Sequence, residues 1–189
     1  MTRRVFLFDT PDRFVAGTIG EPGNRTFFLQ ARDGQRIVSV SLEKIQVAAL
    51  AERLDALLDE LERRGITAEG PDGTSTRDAL PLDEPLNEAF RATTLSLGWD
   101  GSNDLVLVEA RAEEEDDEDE DEAVVVETGD DDPDGPDLLR VRMSAAAARG
   151  FVERALRVLT SGRPPCPLCG EPLDPQGHLC PRRNGHLLN

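Results

Sequence analysis

Three cysteines and two histidines within the last 24 residues hold the clearest chemistry in this chain. Cys166 and Cys169 stand in a Cys-Pro-Leu-Cys-Gly run, and Cys180 follows in Gly-His-Leu-Cys-Pro. A Cys-x-x-Cys turn lets two thiolates face one tetrahedral ion, and a glycine just after it lets backbone amides approach the sulfurs. Cys180 adds a third thiolate, and the fourth ligand is His178 or His186. His178 is preferred because it lies in the segment returning to the first pair, although only one residue separates it from Cys180; His186 is nearer the terminus and freer. Structural zinc sites close with four protein ligands, so the spacing predicts a zinc knuckle of Cys166, Cys169, His178 and Cys180 without an open position for water. The competing readings are three unconnected thiols or a redox pair. A redox Cys-x-x-Cys belongs at a strand-to-helix junction near the start of a domain, whereas this one sits in a Pro-rich tail. Three cysteines cannot all pair, which argues against a disulfide scaffold and for a reducing compartment.

No comparable set of nucleophile, base and orienting acid can be read elsewhere. The run Gly17-Thr18-Ile19-Gly20-Glu21-Pro22-Gly23 has the glycines of a phosphate loop, but no Lys-Ser/Thr follows and no helix begins there, so a hairpin turn is expected. Asp9, Asp12 and Arg13 cluster near the first strand and could act on a substrate, yet Asp-Thr-Pro-Asp is equally a turn sequence. Trp99, followed by Asp100 and Gly101, is expected to anchor a second hairpin turn.

The net charge of −17 is local. Residues 109–137 hold 17 acidic side chains against the single Arg111, which leaves about −1 for the rest of the chain. Residues 113–122 are ten successive carboxylates, too polar to offset the entropy of ordering, and are expected to be disordered and solvated. They could hold calcium only loosely, since nothing fixes their geometry. Residues 140–183 carry eight arginines against Glu153, Glu171 and Asp174, giving a mildly basic tail beside the acidic loop. No apolar run approaches the roughly 20 residues of a membrane span, and the start of the chain is too briefly apolar for a signal peptide, so a cytoplasmic protein away from membranes is expected.

The elements that must position these residues follow from periodicity. Residues 14–19, 25–31 and 36–42 are β-rich runs separated by turn residues. From 41 to 64 the period becomes helical, with Ser41 as the expected N-cap, Leu42, Ile45, Ala49, Leu50, Leu54, Leu57, Leu58 and Leu61 on one face, and Gly65 as the stop. A second set comprises strands at 93–97, 104–110 and 138–143, with 123–127 as an extension of the sheet. Ser144 then caps a helix whose buried stripe is Ala148, Phe151, Val152, Ala155, Leu156 and Leu159. A short helix is expected near 86–90.

The two sets read as copies. Thr18-Ile19-Gly20 matches Ser96-Leu97-Gly98 at an offset of 78, and residues 28–32 match 107–111 at 79. Val40, Leu42, Leu50 and Leu57 match Val141, Met143, Phe151 and Val158 at 101, and the intervening insertion of 22 residues falls where the acidic loop lies. The expected architecture is α+β: two duplicated antiparallel strand-meander-plus-helix units sharing one sheet, with a C-terminal zinc knuckle. Its parts are a first unit at 1–65, a connector at 66–92, a second unit at 93–162 with the acidic insertion 112–137, and the knuckle tail at 163–189.

On three stretches the chain resembles an actinobacterial family of uncharacterised proteins, domain-of-unknown-function family 3090. These are residues 14–31 (Phe-Val-Ala-Gly-Thr-Ile-Gly-Glu-Pro-Gly-Asn-Arg-Thr-Phe-Phe-Leu-Gln-Ala), 42–53 (Leu-Glu-Lys-Ile-Gln-Val-Ala-Ala-Leu-Ala-Glu-Arg) and 166–185. The resemblance implies no known activity. It does imply a histidine kept at His178 and an aromatic residue in place of His186, and genes nearby for a histidine-phosphatase-like and a phosphatidylinositol-kinase-like protein, hence a shared pathway or complex. The acidic insertion stands outside the family's common pattern.

Three functions are then open. The first is a non-catalytic interaction module whose zinc knuckle shapes a contact surface for a protein partner. The second is an enzyme with a site on the sheet or between the repeats, using Asp9, Asp12 and Arg13. The third is nucleic-acid binding through Arg163, Arg182 and Arg183, which the adjacent acidic loop and the lack of interleaved aromatics disfavour. The interaction module is the preferred reading.

Overall fold

A computed structural model describes residues 3–21, 23–66, 78–113, 135–161, 166–169 and 180. The strands are β1 (Val5–Asp9), β2 (Arg13–Ile19), β3 (Thr26–Asp33), β4 (Arg36–Leu42), β5 (Glu88–Asp100), β6 (Leu105–Ala112) and β7 (Leu138–Met143); the helices are α1 (Lys44–Arg63) after β4 and α2 (Ala145–Thr160) after β7. The strands form one mixed sheet in the order β1-β7-β6-β5-β4-β3-β2. Strands β2-β3-β4 make one antiparallel meander and β5-β6-β7 another; the two join through a parallel β4–β5 contact, and β1 lies parallel to β7.

Alternation along each strand sends one set of side chains to the helices: Phe14 and Ala16 from β2, Leu29 and Ala31 from β3, Val40 and Leu42 from β4, Val108 and Ala110 from β6, and Val141 and Met143 from β7 share one core with both helices. Phe14 on β2 stacks on Phe151 of α2, ring centres 4.9 Å apart. The opposite face carries buried polar groups, Gln30 and Ser39 in the first meander and Glu109 and Arg111 in the second.

The sheet is strongly curled. β1 and β2 lie at opposite ends of the strand order, yet only Thr10, Pro11 and Asp12 join them. Such a link reaches about 15 Å at most, whereas the outer strands of a flat seven-stranded sheet would stand about 29 Å apart. Contacts across the gap agree with this. Arg36 of β4 donates to the Leu7 carbonyl of β1 at 3.0 Å while its guanidinium lies 4.5 Å above the Phe8 ring. At the other edge Arg154 of α2 donates to the Ala16 carbonyl of β2 at 2.8 Å. Each outer strand therefore has a carbonyl occupied by an arginine, which blunts the sheet's capacity to pair with another chain.

Several expected elements shift. Ser41 is not the N-cap of α1; it is buried in the β3–β4 ladder opposite Phe28, and the cap is Glu43, whose amide donates to Gln46 Oε1 at 2.7 Å. The helix phase moves with its start, so Val47, Leu50, Ala51, Leu54, Leu58 and Leu61 are buried while Ile45 and Ala49 face solvent. In α2, Ser144 is the N-cap as expected, accepting from the Ala147 amide at 3.2 Å, but Leu156 is exposed and Arg154 takes a buried place. No helix forms near 86–90. β5 begins at Glu88, where parallel pairing with β4 claims the backbone and Phe90 joins the core. Trp99 belongs to β5 and packs against the core, and the turn comes after it, with Asp100 accepting from the amide of Ser102 at 3.0 Å and the side-chain amide of Asn103 at 2.8 Å. The hairpin expected at 17–23 is present between β2 and β3, with Gly20 at φ +99°, where a Cβ would stand 2.5 Å from the Asn24 carbonyl oxygen. The acidic stretch 114–134, including 123–127, lies outside the described residues.

Candidate metal centre

α2 delivers the chain to the cysteines. Its last turn is closed by the Ser161 amide donating to the Arg157 carbonyl, and Arg25, from the β2–β3 loop, donates to the Ser161 carbonyl at 3.0 Å and its hydroxyl at 3.2 Å. Beyond this pinned end, Cys166–Cys169 form a tight turn and Cys180 returns to it. The Sγ atoms of Cys166, Cys169 and Cys180 all lie within 4.8 Å of one another, and those of Cys166 and Cys180 are 4.0 Å apart. A disulfide needs about 2.05 Å, so these are free thiols. Two sulfurs bound to one tetrahedral ion at about 2.3 Å stand about 3.8 Å apart, and the observed separation fits that edge.

Charge and burial fit as well. Cys166 and Cys180 are buried and Cys169 is half-buried. The Leu168 amide lies 3.4 Å from Cys166 Sγ, and the amides of Cys169 and Leu168 together hold the Cys166 thiol below its ordinary value, toward the thiolate a metal requires. The cluster can hold a metal ion. His178 and His186 both lie outside the described residues. At the tip of the turn Leu168 is half exposed.

The other candidate residues are not brought together. Asp9 pairs with Arg142 at 3.2 Å, Asp12 holds the β3–β4 turn, and Arg13 is buried against Asp78 and Asp83. Each serves a separate contact. Two polar centres have no counterpart in the sequence reading. One is Asp78, gripped by Arg13 and Arg154, residues 65 and 76 positions away. The other is Glu109, buried between Arg111 and Arg140 on the outer face. A carboxylate flanked by Val108 and Ala110, directly after the apolar run Leu105–Val108, was the available signal for the second.

Fold and cluster together define an α+β protein with a mixed seven-stranded sheet, two helices on one face, and a terminal triad of thiols able to hold a metal. The chain belongs to the family described as "Protein of unknown function (DUF3090)", which it matches over residues 6–180, from β1 to the last cysteine. No curated protein and no solved structure matches it. Among the described residues no helix is long and apolar enough to cross a membrane.

Proposed function

We propose that this protein is a non-catalytic interaction module whose tail is folded by zinc bound to Cys166, Cys169, Cys180 and His178. The observation that carries the reading is the thiol triad within 4.8 Å, reached by a Cys-x-x-Cys turn and a returning cysteine. Apparent zinc-binding energies in such knuckles are on the order of 10 kcal/mol or more, enough to order a short Pro-rich tail that lacks a core of its own. The half-exposed Leu168 then becomes an apolar point held at the tip of a rigid turn. The enzyme reading has less support, since Asp9, Asp12 and Arg13 are each taken up by a structural contact.

Elemental analysis tests the metal. Purified protein is expected to carry close to one zinc per chain and Cys169→Ser to lose it; a clean metal-free preparation with three reactive thiols would overturn the site. Affinity capture from the native host tests the role, and histidine-phosphatase-like and phosphatidylinositol-kinase-like proteins are the first partners to look for. Cys180→Ser is expected to lose partner capture while the sheet melts unchanged. Retention of full capture by that variant counts against the module.

We also infer that the two meander-plus-helix units arose by duplication. Strand order and direction are the same in both, and the offsets of 79 and 101 superpose Leu29 on Val108, Val40 on Val141 and Leu50 on Phe151, all buried. The same offsets relate the outer-face pair Gln30–Ser39 to Glu109–Arg140, both directly opposite in their ladders. That polar pairs sit at matching positions on the outer face supports common origin over convergence of two amphipathic units. Superposing the backbone of β2-β3-β4-α1 on β5-β6-β7-α2 checks it; a fit that put Leu50 away from Phe151 would count against it.

A further inference from the structure

Arginines from β2, β3 and α2 converge on the segment that precedes β5. Arg13 grips Asp78 with two donors, Nε to Oδ2 at 2.5 Å and a terminal nitrogen to Oδ1 at 3.0 Å, and reaches Asp83 at 2.7 Å. Arg154 donates to Asp78 Oδ1 and to the Asp78 carbonyl, both at 2.9 Å, and Arg157 donates to the same carbonyl at 2.9 Å. Arg32 stands 3.5 Å from the Asp83 carboxylate through Nε, an atom that is buried and makes no hydrogen bond. Among the described residues, four guanidinium groups thus gather around two carboxylates, an excess of two positive charges. The side chains of Arg13 and Arg154 are each only 7% exposed. Burial of like charges this close is costly unless an anion is held among them. Asp78 supplies one negative charge in the two-pronged geometry that guanidinium groups also give a phosphate, and its carboxylate keeps an opening to solvent, 24% exposed.

We propose that Arg13, Arg32, Arg154 and Arg157 form a binding site for a phosphate group carried by a small molecule, which the chain closes with its own Asp78. Arg13 also donates to the Leu80 and Pro81 carbonyls and Arg154 to the Ala16 carbonyl, so it is charge that is in surplus, and a phosphate dianion in place of the Asp78 carboxylate would bring one further negative charge. The carboxylate is covalently tethered and competes at high effective concentration, so the closed form binds phosphate weakly. Arg157, the exposed member, lies where an entering anion meets it first.

The test uses the full chain, with inorganic phosphate as the probe and chloride at equal ionic strength as the control, read by calorimetric titration and by thermal unfolding. Asp78→Asn keeps the shape and removes the competing charge. It is expected to bind phosphate at least tenfold more tightly than the wild type and to melt higher with phosphate than with chloride; adding Arg157→Gln should reverse most of that gain. If Asp78→Asn is poorly folded, recovery of a cooperative melt by phosphate and not by chloride supports the site. Folded Asp78→Asn with wild-type phosphate affinity, or unfolded Asp78→Asn that phosphate does not restore, overturns it. A parallel titration with phenyl phosphate separates a free ion from a monoester: equal or tighter binding marks a site open to a carried phosphate group, and binding of the free ion alone overturns the small-molecule reading.

Discussion

Glu109 shows how one residue can set the acid stability of this fold. Its side chain is 3% exposed, and burial alone would raise its carboxyl; Arg140 and Arg111 beside it outweigh that and hold it below its ordinary value. Asp78, gripped chiefly by Arg13, and Asp137, where the hydrogen bonds of Arg4 outweigh burial, are lowered as well. A carboxyl depressed in the folded state adds stability that is complete above its unfolded value, about 4 for these types, and that is lost as pH falls through the folded value. The melting temperature is therefore expected to stay level between about pH 7 and 5 and to drop below that. Glu109→Gln removes the buried carboxylate that Arg140 and Arg111 share, and should cost about 3 kcal/mol at pH 7 while making the acid slope shallower. Melts from pH 3 to 7 on both proteins check this, and an unchanged slope in the variant would assign the acid sensitivity to other carboxylates.

At the scale of the element, α1 tests where a helix begins. With Glu43 as the cap, Ile45 points outward at 76% exposure and Leu54 is fully buried. Ile45→Glu is expected to change stability by no more than about 0.5 kcal/mol, whereas Leu54→Ala should cost about 3 kcal/mol through lost burial and the cavity left behind. Denaturant titration distinguishes them; comparable losses would mean that α1 is rotated toward the phase a Ser41 cap would impose. That phase error has a physical source. Ser41 is a good capping residue by type, but the ladder with β3 holds the chain extended through Leu42, and pairing outweighs a local propensity worth about 1 kcal/mol. The same contest hid the start of β5, whose residues 88–91 look helical alone and become a strand because β4 offers them partners. β1 has five residues, too few to show a period, and exists because β7 accepts it from the far end of the chain. Local signals sufficed where they and the sheet agreed, in the β2–β3 hairpin, the Ser144 cap and the three cysteines brought into one cluster. The Asp78 centre was illegible because its arginines come from elements distant in sequence.

On the scale of the whole molecule, the two units are interlocked and should fold as one. β1 begins the chain but pairs with β7, near the end of the second meander, so neither half holds a complete sheet. α2 follows β7 yet packs against α1 and β2, with Phe151 on Phe14 and Arg154 on the Ala16 carbonyl. Arg149 of α2 further pairs with Asp55 and Glu62 of α1 at 2.6 and 2.9 Å. Isolated, the first unit would expose the β2 and α1 surface that α2 covers, and the second would lose the strand that borders β7. Fragments of residues 1–66 and 78–189 are therefore expected to lack cooperative unfolding when each is alone. Mixed in equal amounts, they should regain a sheet-rich spectrum and a single transition, because the lost contacts are between the halves and the break falls between α1 and β5. Circular dichroism and denaturant melts of each fragment and of the mixture decide it. A fragment that melted cooperatively alone would mean that the units are autonomous, and that α2 docks on β2 after both have folded.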